Sequence, residues 1–203
     1  MKTILFTGIK GGTGKTTLAA AFSAFLFNEK ATDKITLMGF DFQRELSFLA
    51  KKEKPEFDVI ECNYEDFITV YENEIKKETQ YLIIDCGFQP IKYYQTILNN
   101  SNIVVLPFLH TELDVVKLFG FGKIIRINDR KRQGQIFYCL PNFCHVNRDN
   151  ETIIHGIDKS LINQGFNLTP YINHISKINY FGLSKKHIYT FRPTFIKIIN
   201  NLI

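Results

Sequence analysis

The feature that most constrains this chain is a glycine- and lysine-rich stretch near its beginning, Lys10–Thr17, which reads KGGTGKTT. A β-like run, Lys2–Thr7, precedes it, and a run with apolar residues at helical spacing, Leu18–Phe27, follows it. Glycines let several backbone N–H groups surround an anion, and the N-terminus of a helix adds partial positive charge. The stretch therefore predicts a phosphate site built to hold a nucleoside triphosphate.

Individual side chains of this stretch have separate expected roles. Lys15 is expected to reach the β- and γ-phosphates, and the Thr16 hydroxyl is expected to ligate Mg²⁺. A plain glycine-rich turn is the alternative interpretation, but it explains neither the lysines nor the paired threonines at their fixed offsets. The predicted nucleotide-binding residues of the stretch are Gly11, Gly12, Thr13, Gly14, Lys15, Thr16 and Thr17.

One departure from the general phosphate-loop motif is informative. The motif G-x-x-x-x-G-K-[ST] requires glycine where this chain has Ile9, whereas K-G-G-x-G-K-T-T is complete. That is the deviant Walker A signature, and by it the sequence resembles the ParA/MinD family of P-loop ATPases. The resemblance implies ATP or ADP with Mg²⁺ as ligands, and ATP hydrolysis that is slow without a partner. It also implies an ATP-dependent homodimer in which Lys10 reaches the partner's nucleotide and assists catalysis there.

Short apolar runs separated by helical patterns predict an α/β fold with a mostly parallel, twisted sheet flanked by helices. The predicted strands are Lys34–Phe40, Phe57–Glu61, Tyr81–Asp85, Ile103–Leu106 and Ile136–Leu140, with a short extended piece at Tyr171–Ile172. The predicted helices after the first are Tyr64–Lys77, Leu113–Asn128, Glu151–Asn163 and Thr194–Leu202. Pro107 is expected to end its strand, and Asp129–Arg132 to form a basic turn. No repeat or linker interrupts the pattern, so we expect a single P-loop ATPase domain over residues 1–203.

Two aspartates are expected beyond the carboxyl ends of strands, where ligands bind in such sheets. Asp85 ends the most apolar strand and is expected to hold Mg²⁺, directly or through water, with a turn-capping role as the alternative. Asp41 lies in Gly39–Gln43, which resembles the family's first switch segment, D-x-D-P-Q, with Gly39 and Phe42 in place of the first aspartate and the proline. The resemblance implies that Asp41 orients the attacking water; capping of a short helix is the alternative.

Two further segments match the family less completely. In Asp85–Pro90, which resembles the second switch, Gly87 and Phe88 stand where prolines are common. Leu140–Phe143 resembles the family segment in which an asparagine after a strand meets adenine. Asn142 is therefore the predicted base-binding residue.

Composition limits the classes of protein that the chain can represent. Of its 203 residues, 45% are hydrophobic and 22% charged, which is typical of a globular domain with a full core. No apolar run approaches the roughly 20 residues that span a bilayer, and the chain enters a strand without a signal peptide, so we expect no transmembrane segment and a cytoplasmic location. The four cysteines lack the spacing of a zinc site. A net charge of +5 is compatible with nucleic-acid binding without being diagnostic of it.

The resemblance also implies partners. Because only a few residues precede the phosphate loop, the chain resembles the small ParA type, which lacks a helix-turn-helix domain and relies on a ParB-like or unrelated protein to stimulate hydrolysis. Dimers of that type bind DNA without sequence preference and position plasmid, chromosome or other cargo, which predicts association with the nucleoid. The candidate DNA-binding residues are Lys177, Lys185, Lys186, Arg192 and Lys197, with Arg130, Lys131 and Arg132 as a second group. Ordinary solvation of exposed basic side chains is an equally weighted alternative for them.

Three other functions are open on the sequence alone. A MinD-like, membrane-associated positioning ATPase would carry a C-terminal amphipathic helix with a basic face, but Phe195–Ile203 is short and has one lysine, which favours packing on the core. A nucleotide-binding scaffold without hydrolysis is open because the switch segments are altered. A metabolic P-loop enzyme would require an acceptor pocket, of which the sequence shows no sign.

Overall fold

The computed structural model of the protein describes residues 1–30, 32, 34–40, 45–87, 91–143, 151–173 and 185–201. The strands are β1 (Lys2–Phe6), β2 (Ile35–Gly39), β3 (Asp58–Glu61), β4 (Tyr81–Asp85), β5 (Ile103–Phe108), β6 (Ile136–Pro141) and β7 (Asn167–Leu168). The helices are α1 (Lys15–Lys30), α2 (Glu45–Glu53), α3 (Phe67–Lys76), α4 (Ile91–Asn99), α5 (Glu112–Ile124), α6 (Ile127–Arg132), α7 (Glu151–Asn163) and α8 (Lys185–Ile199). A 3-10 turn, Tyr64–Asp66, leads into α3.

The seven strands form one parallel sheet in the order β3-β2-β4-β1-β5-β6-β7, which confirms the predicted fold class. β1 lies in the middle, between β4 and β5. Phe6 and Gly39 both pair with Asp85, so the carboxyl ends of β1, β2 and β4 meet at one level. Ligands of open parallel sheets bind at this edge, and the glycine-rich loop leaves β1 there.

Alternate residues of β1 face two separate hydrophobic cores. Ile4 and Phe6 face a core formed with α1, α2 and α8, whereas Leu5 faces a core formed with α3, α4, α5 and α7. Helix α1 is buried along the whole of Leu18–Leu26, where four alanines let its backbone approach the sheet closely. Burial of each large apolar side chain contributes about 1.5–3 kcal/mol, so the two cores hold the loop-bearing strand firmly in place.

Pro107 differs from its prediction, because it lies inside β5 and does not end the strand. The strand continues to Phe108. Val105 O accepts a hydrogen bond from Thr7 N, so the backbone polar groups of Val105 point towards β1. Pro107 lies two residues further along the strand, so its backbone polar groups point the same way. Since β1 ends at Phe6, the missing N–H of Pro107 removes no hydrogen bond from the sheet.

The predicted helix Leu113–Asn128 is in fact two helices. Arg126 separates α5 from α6 with a left-handed backbone of φ 54° and ψ 52°. Asp129–Arg132, predicted as a basic turn, belongs to α6. Residues other than glycine rarely adopt this conformation. The break contains neither glycine nor proline, and the apolar periodicity continues through it, so the sequence does not indicate where the first helix ends.

Helices α2 and α4 and strand β7 were not predicted, and α8 begins earlier than expected. The predicted helix was Thr194–Leu202, whereas α8 begins at Lys185, with Pro193 inside it, and ends at Ile199. Phe191 and Phe195 stack on each other, and Phe195 also contacts the ring of Phe22 in α1. Among the described helices, none has the length and apolar content needed to cross a membrane.

A buried carboxylate ties α3 to the sheet. Glu74 is 1% exposed, and its Oε2 accepts hydrogen bonds from the hydroxyls of Thr36 (2.5 Å) and Thr79 (2.8 Å), while its Oε1 accepts from Lys77 (2.9 Å). Burial raises the pKa of Glu74, but these three hydrogen bonds outweigh burial and lower the pKa overall. Folding therefore favours the charged form of this side chain.

We expect Glu74→Gln to reduce the free energy of unfolding by about 1–3 kcal/mol near neutral pH, because an amide cannot serve all three donors. A carboxylate with a lowered folded-state pKa stabilises the fold above its unfolded pKa, and this contribution is lost as the pH falls through the folded value. Urea denaturation at neutral and acidic pH should thus show less acid destabilisation in Glu74→Gln than in the wild type. Glu72→Gln, at an exposed position of the same helix, is the control. The same pH dependence in all three proteins would contradict the assignment.

Candidate functional site

At two positions of the loop between β1 and α1, the backbone has a conformation that glycine adopts freely. Gly12 and Gly14 have φ angles of +74° and +87°, in the left-handed region. Leu18 N donates to Gly14 O at 2.8 Å, which closes the first turn of α1 directly after the loop. The N–H groups at the start of a helix lack partners within the helix, so this end of α1 can bind an anion.

The Lys15 side chain lies over the loop that precedes it. Its Nζ donates a hydrogen bond to Lys10 O at 2.9 Å. Burial lowers the pKa of Lys15, and the neighbouring Asp85 and Cys86 side chains oppose this shift only in part. A half-buried ammonium group in this position is well suited to bind phosphate oxygens.

Asp85 lies near this ammonium group at the end of β4 and is 6% exposed. Its side chain is on the face of the sheet that α1 covers, because Ile83, two residues earlier, packs in that core. Thr16 belongs to the first turn of α1. A carboxylate and a hydroxyl are oxygen ligands of the kind that Mg²⁺ prefers, so the two residues fit their predicted role as magnesium ligands.

Lys10, the residue expected to act across a dimer, is paired within its own subunit. Its Nζ lies 2.8 Å from Asp114 Oδ1, in an ion pair that is not aligned as a hydrogen bond. The Asp114 side chain is 2% exposed and that of Lys10 is 30% exposed. Asp114 Oδ2 accepts from Leu109 N at 3.0 Å, and Thr111 caps α5 by accepting from Asp114 N. The carboxylate is thus fixed at the start of α5, which gives Lys10 a defined resting position.

Asn142, predicted to meet adenine, supports the phosphate loop directly. Its Nδ2 donates to Thr13 O at 2.8 Å, and its Oδ1 accepts from Phe143 N at 3.0 Å. The amide is buried and approaches Gly14 so closely that a Cβ there would lie 2.5 Å from Nδ2. Gly14 is therefore required both by its backbone angle and by this contact. The base-binding role of Asn142 stays a prediction.

Two buried side chains lie behind the loop: Tyr94, which was not predicted, and Cys86, one of the four cysteines. The Tyr94 hydroxyl, on α4, donates to Thr7 Oγ1 at 2.9 Å, and burial raises the pKa of Tyr94 well above its ordinary value, so it remains a donor. Cys86 follows Asp85, and burial raises the pKa of its thiol to about 12. The thiol is protonated at neutral pH and is therefore unsuited to act as a nucleophile. For Tyr94, the sequence offers one signal: α4, which carries it, has apolar residues at helical spacing among which the tyrosine lies.

Three side chains next to the phosphate loop, those of Asp158, Tyr171 and His110, contact one another and fix the segment after β7. Asp158 of α7 accepts from the Tyr171 hydroxyl at 2.5 Å and contacts His110 Nε2 at 3.2 Å. Burial raises the pKa of Asp158, but these contacts lower it overall. Tyr171 precedes Ile172, which pairs with Asn142 and so joins this group to the loop.

Several predicted residues fall outside the described part of the chain. Asp41, Phe42, Phe88 and Lys177 belong to the segments that the structure does not describe. For Arg132, Lys185 and Lys186 the backbone alone is described. The roles assigned to these residues stay predictions.

Most of the predicted DNA-binding residues with described side chains contact other parts of the protein. Arg130 Nε donates to the carbonyl of residue 125 at 2.8 Å, and Lys131 Nζ donates to that of residue 165 at 2.6 Å. Burial lowers the pKa of Arg130. Arg192 pairs with Glu29, whereas Lys197 is exposed. Arg130 and Lys131 thus have structural roles in the folded chain.

The family model of the CobQ/CobB/MinD/ParA nucleotide-binding domain, CbiA, matches residues 4–184 of the chain. The matched range contains all seven strands except the first two residues of β1, together with the loop, Asp85 and Asn142. No curated protein sequence matches the chain significantly.

Three solved structures share the fold at low sequence identity. A putative plasmid partition protein of Borrelia burgdorferi B31, bound to AMPPNP, has a TM-score of 0.71 and 18% identity, over 100% of this chain and 99% of its own. The cell division protein MinD of Aquifex aeolicus has a TM-score of 0.72 and 15% identity, over 98% of each chain. Cobyrinic acid a,c-diamide synthase of Mycobacterium smegmatis, with bound ADP and magnesium, has a TM-score of 0.66 and 16% identity, over 98% of this chain and 95% of its own. At these identities the likeness shows the shared fold alone.

Proposed function

The chain belongs to the CobQ/CobB/MinD/ParA nucleotide-binding family, and from this premise we propose that it is a ParA-like ATPase. It binds ATP with Mg²⁺, dimerises on ATP and hydrolyses ATP slowly until a partner protein stimulates it. One domain, residues 1–203, carries this activity. The placement of the KGGTGKTT loop at the start of α1, beside Asp85, supports the nucleotide site.

The observation that carries the proposal is the position of Lys10. Its ammonium group pairs with Asp114 on α5, whereas Lys15 lies over the loop. Each subunit thus directs one lysine at its own phosphate site and keeps a second, partly exposed cation beside it. A second subunit that brings its nucleotide to this surface would meet Lys10, as expected for a residue that acts across a dimer.

Within such a dimer, the residues of the chain divide the work of phosphoryl transfer to water. Lys15 neutralises charge that develops on the phosphate oxygens, and Lys10 of the opposite subunit adds a second cation. Thr16 and Asp85 would hold Mg²⁺, which supplies further charge neutralisation when bound. Asp41 orients the attacking water. The rate then depends on positioning, and it stays low until a partner completes the arrangement.

The proposal extends to DNA and cargo. The ATP-bound dimer binds DNA without sequence preference, and hydrolysis stimulated by a ParB-like or unrelated protein releases it. A net charge of +5 and the exposed Lys197 support contact with phosphates. The protein acts in the cytoplasm, on the nucleoid, and positions plasmid, chromosome or other cargo. The shared fold of the Borrelia partition protein supports this role.

A MinD-like ATPase that binds a membrane surface is the second candidate, since MinD shares the fold. The described part of α8 argues against it. Phe195, Ile198 and Ile199 are at most 2% exposed, so the apolar side of the helix is covered by the core and is not free to enter a bilayer interface. A non-hydrolysing scaffold or a metabolic P-loop enzyme is the third candidate.

Asp41→Ala tests the proposal. Loss of the carboxylate that orients water should lower hydrolysis about a hundredfold or more and leave nucleotide binding intact, so the ATP-bound dimer accumulates. Light scattering with ADP and with ATP measures the dimer for the wild type and the variant. Retention on a non-specific DNA fragment then measures DNA binding. We expect a dimer with ATP alone, trapped by Asp41→Ala, and DNA binding by that dimer only.

Other outcomes favour the other candidates. A protein that is monomeric with both nucleotides would refute the dimer switch. A dimer that ignores DNA but binds vesicles containing anionic lipid would favour the MinD-like function. Wild-type protein that binds ATP without hydrolysing it would favour a scaffold.

A further inference from the structure

Gly39 lies at a crowded place at the end of β2. A Cβ added there would lie 2.7 Å from Leu46 Cδ1 and 3.1 Å from Glu61 Oε2. Both separations are shorter than ordinary van der Waals contacts, so a side chain at position 39 would have to displace the ends of the Leu46 and Glu61 side chains. The Glu61 carboxylate occupies the volume that a side chain at position 39 would fill.

Glu61 reaches this volume from the neighbouring strand. It ends β3 and pairs with Gly39, which pairs in turn with Asp85 on β4. Paired residues of a parallel sheet point to the same face, and Leu37, two residues before Gly39, packs in the core under α1. Glu61 and Asp85 therefore lie on the nucleotide-site face, on either side of a residue that has no side chain.

The two oxygens of the Glu61 carboxylate have different surroundings. Oε1 accepts a hydrogen bond from Ser47 N at 3.0 Å, in the first turn of α2. A carboxylate at a helix N-terminus pairs an N–H that has no partner in the helix and interacts favourably with the helix dipole. Oε2 is buried and accepts no hydrogen bond from the described residues. A buried carboxylate oxygen normally accepts a hydrogen bond, and Oε2 finds no donor in the part of the chain that the structure describes.

We propose that Glu61 is a positioning residue of the nucleotide site. Residues 40–44 connect β2 to α2, and they include Asp41. By holding the first turn of α2 against the end of β3, Glu61 fixes the far end of this connection. Its Oε2, above Gly39 and one strand from Asp85, is the acceptor for a hydrogen bond made in the nucleotide-bound state. Glu61 thus acts on turnover by holding α2 beside the nucleotide site, and this part rests on the proposed ATP hydrolysis.

Hydrogen exchange at the Ser47 amide tests the positioning without reference to hydrolysis. Glu61→Ala should speed this exchange about tenfold, because the amide loses its acceptor. Glu61→Gln keeps an acceptor oxygen and should keep the amide protected. Glu65→Gln, an exposed carboxylate in the 3-10 turn, is the control. Unchanged exchange at Ser47 in Glu61→Ala would overturn the proposal.

Steady-state kinetics test the role of Oε2. We expect Glu61→Gln to lower kcat about tenfold, with KM and ADP affinity nearly unchanged, because an amide NH₂ cannot accept the second hydrogen bond. Glu61→Ala combined with Gly39→Asp moves the carboxylate one strand over and should recover part of the kcat that Glu61→Ala loses.

The results separate this inference from the proposed function. Wild-type kcat in Glu61→Gln, or parallel loss of kcat and ADP affinity, would contradict the positioning role of Oε2. A wild-type protein without ATP hydrolysis would instead refute the proposed function, and the exchange experiment would still decide whether Glu61 fixes α2.

Discussion

Gly14→Ala is expected to lower the affinity for ADP and ATP by about a hundredfold while the fold persists. The φ of Gly14 is +87°, where a residue with a Cβ is less stable by roughly 1–2 kcal/mol. The new Cβ would also lie 2.5 Å from Asn142 Nδ2, and Asn142 is buried and bonded to Thr13 O. Either the loop or the asparagine must therefore move. A combined cost of about 2.7 kcal/mol in the binding-competent loop corresponds to the hundredfold loss.

Gly134→Ala separates the backbone cost from the contact with Asn142. Gly134 has nearly the same φ, +88°, but an added Cβ there would meet no described atom within 4 Å. It lies in the turn before β6, away from the loop. We expect this control to lose about 1 kcal/mol of unfolding free energy and to keep its ADP affinity. Thermal denaturation and titration with a fluorescent nucleotide measure both quantities. Wild-type ADP affinity in Gly14→Ala would show that nucleotide binding does not depend on this loop shape.

Local sequence signals were sufficient for elements whose period and ends are both clear. β4 and α7 have the predicted bounds, Tyr81–Asp85 and Glu151–Asn163. Helix α4 was not predicted because it is short. Its buried face includes Tyr94, and its other residues are equally common in helices and in loops, so the pattern does not by itself indicate a helix. The break at Arg126 escaped because a left-handed arginine leaves no mark on apolar periodicity.

The phosphate loop could be predicted residue by residue because its chemistry lies within one short stretch. Its supports are distant in sequence: Asn142 bonds to Thr13 from 129 residues away, and Tyr94 bonds to Thr7 from 87 residues away. No spacing rule links such pairs, since they meet only through the order of the strands. The same holds for Glu61, which acquires its place from the register of β3 against β2.

Lys10→Ala is expected to lower kcat for ATP hydrolysis about a hundredfold or more, with little change in ADP binding by the monomer. Loss of one preorganised charge at the transferring phosphate has effects of this size. Lys10 pairs with Asp114, outside the loop, so the variant retains Lys15 and the complete loop for nucleotide binding. Hydrolysis assays and ADP titrations of the wild type and the variant check both expectations. A parallel loss of ADP affinity would mean that Lys10 serves its own subunit's loop.

Mixing two inactive variants distinguishes a lysine that acts across the dimer from one that acts in its own subunit. Lys10→Ala subunits keep Lys15, and Lys15→Ala subunits keep Lys10. If Lys10 acts across the dimer, a mixed dimer has one site with both lysines, and ATP hydrolysis returns on mixing. If Lys10 acts in its own subunit, neither site of the mixed dimer has both, and mixing restores nothing. Returned activity would also place ATP between two copies of the chain, because no single subunit in the mixture could hydrolyse it alone.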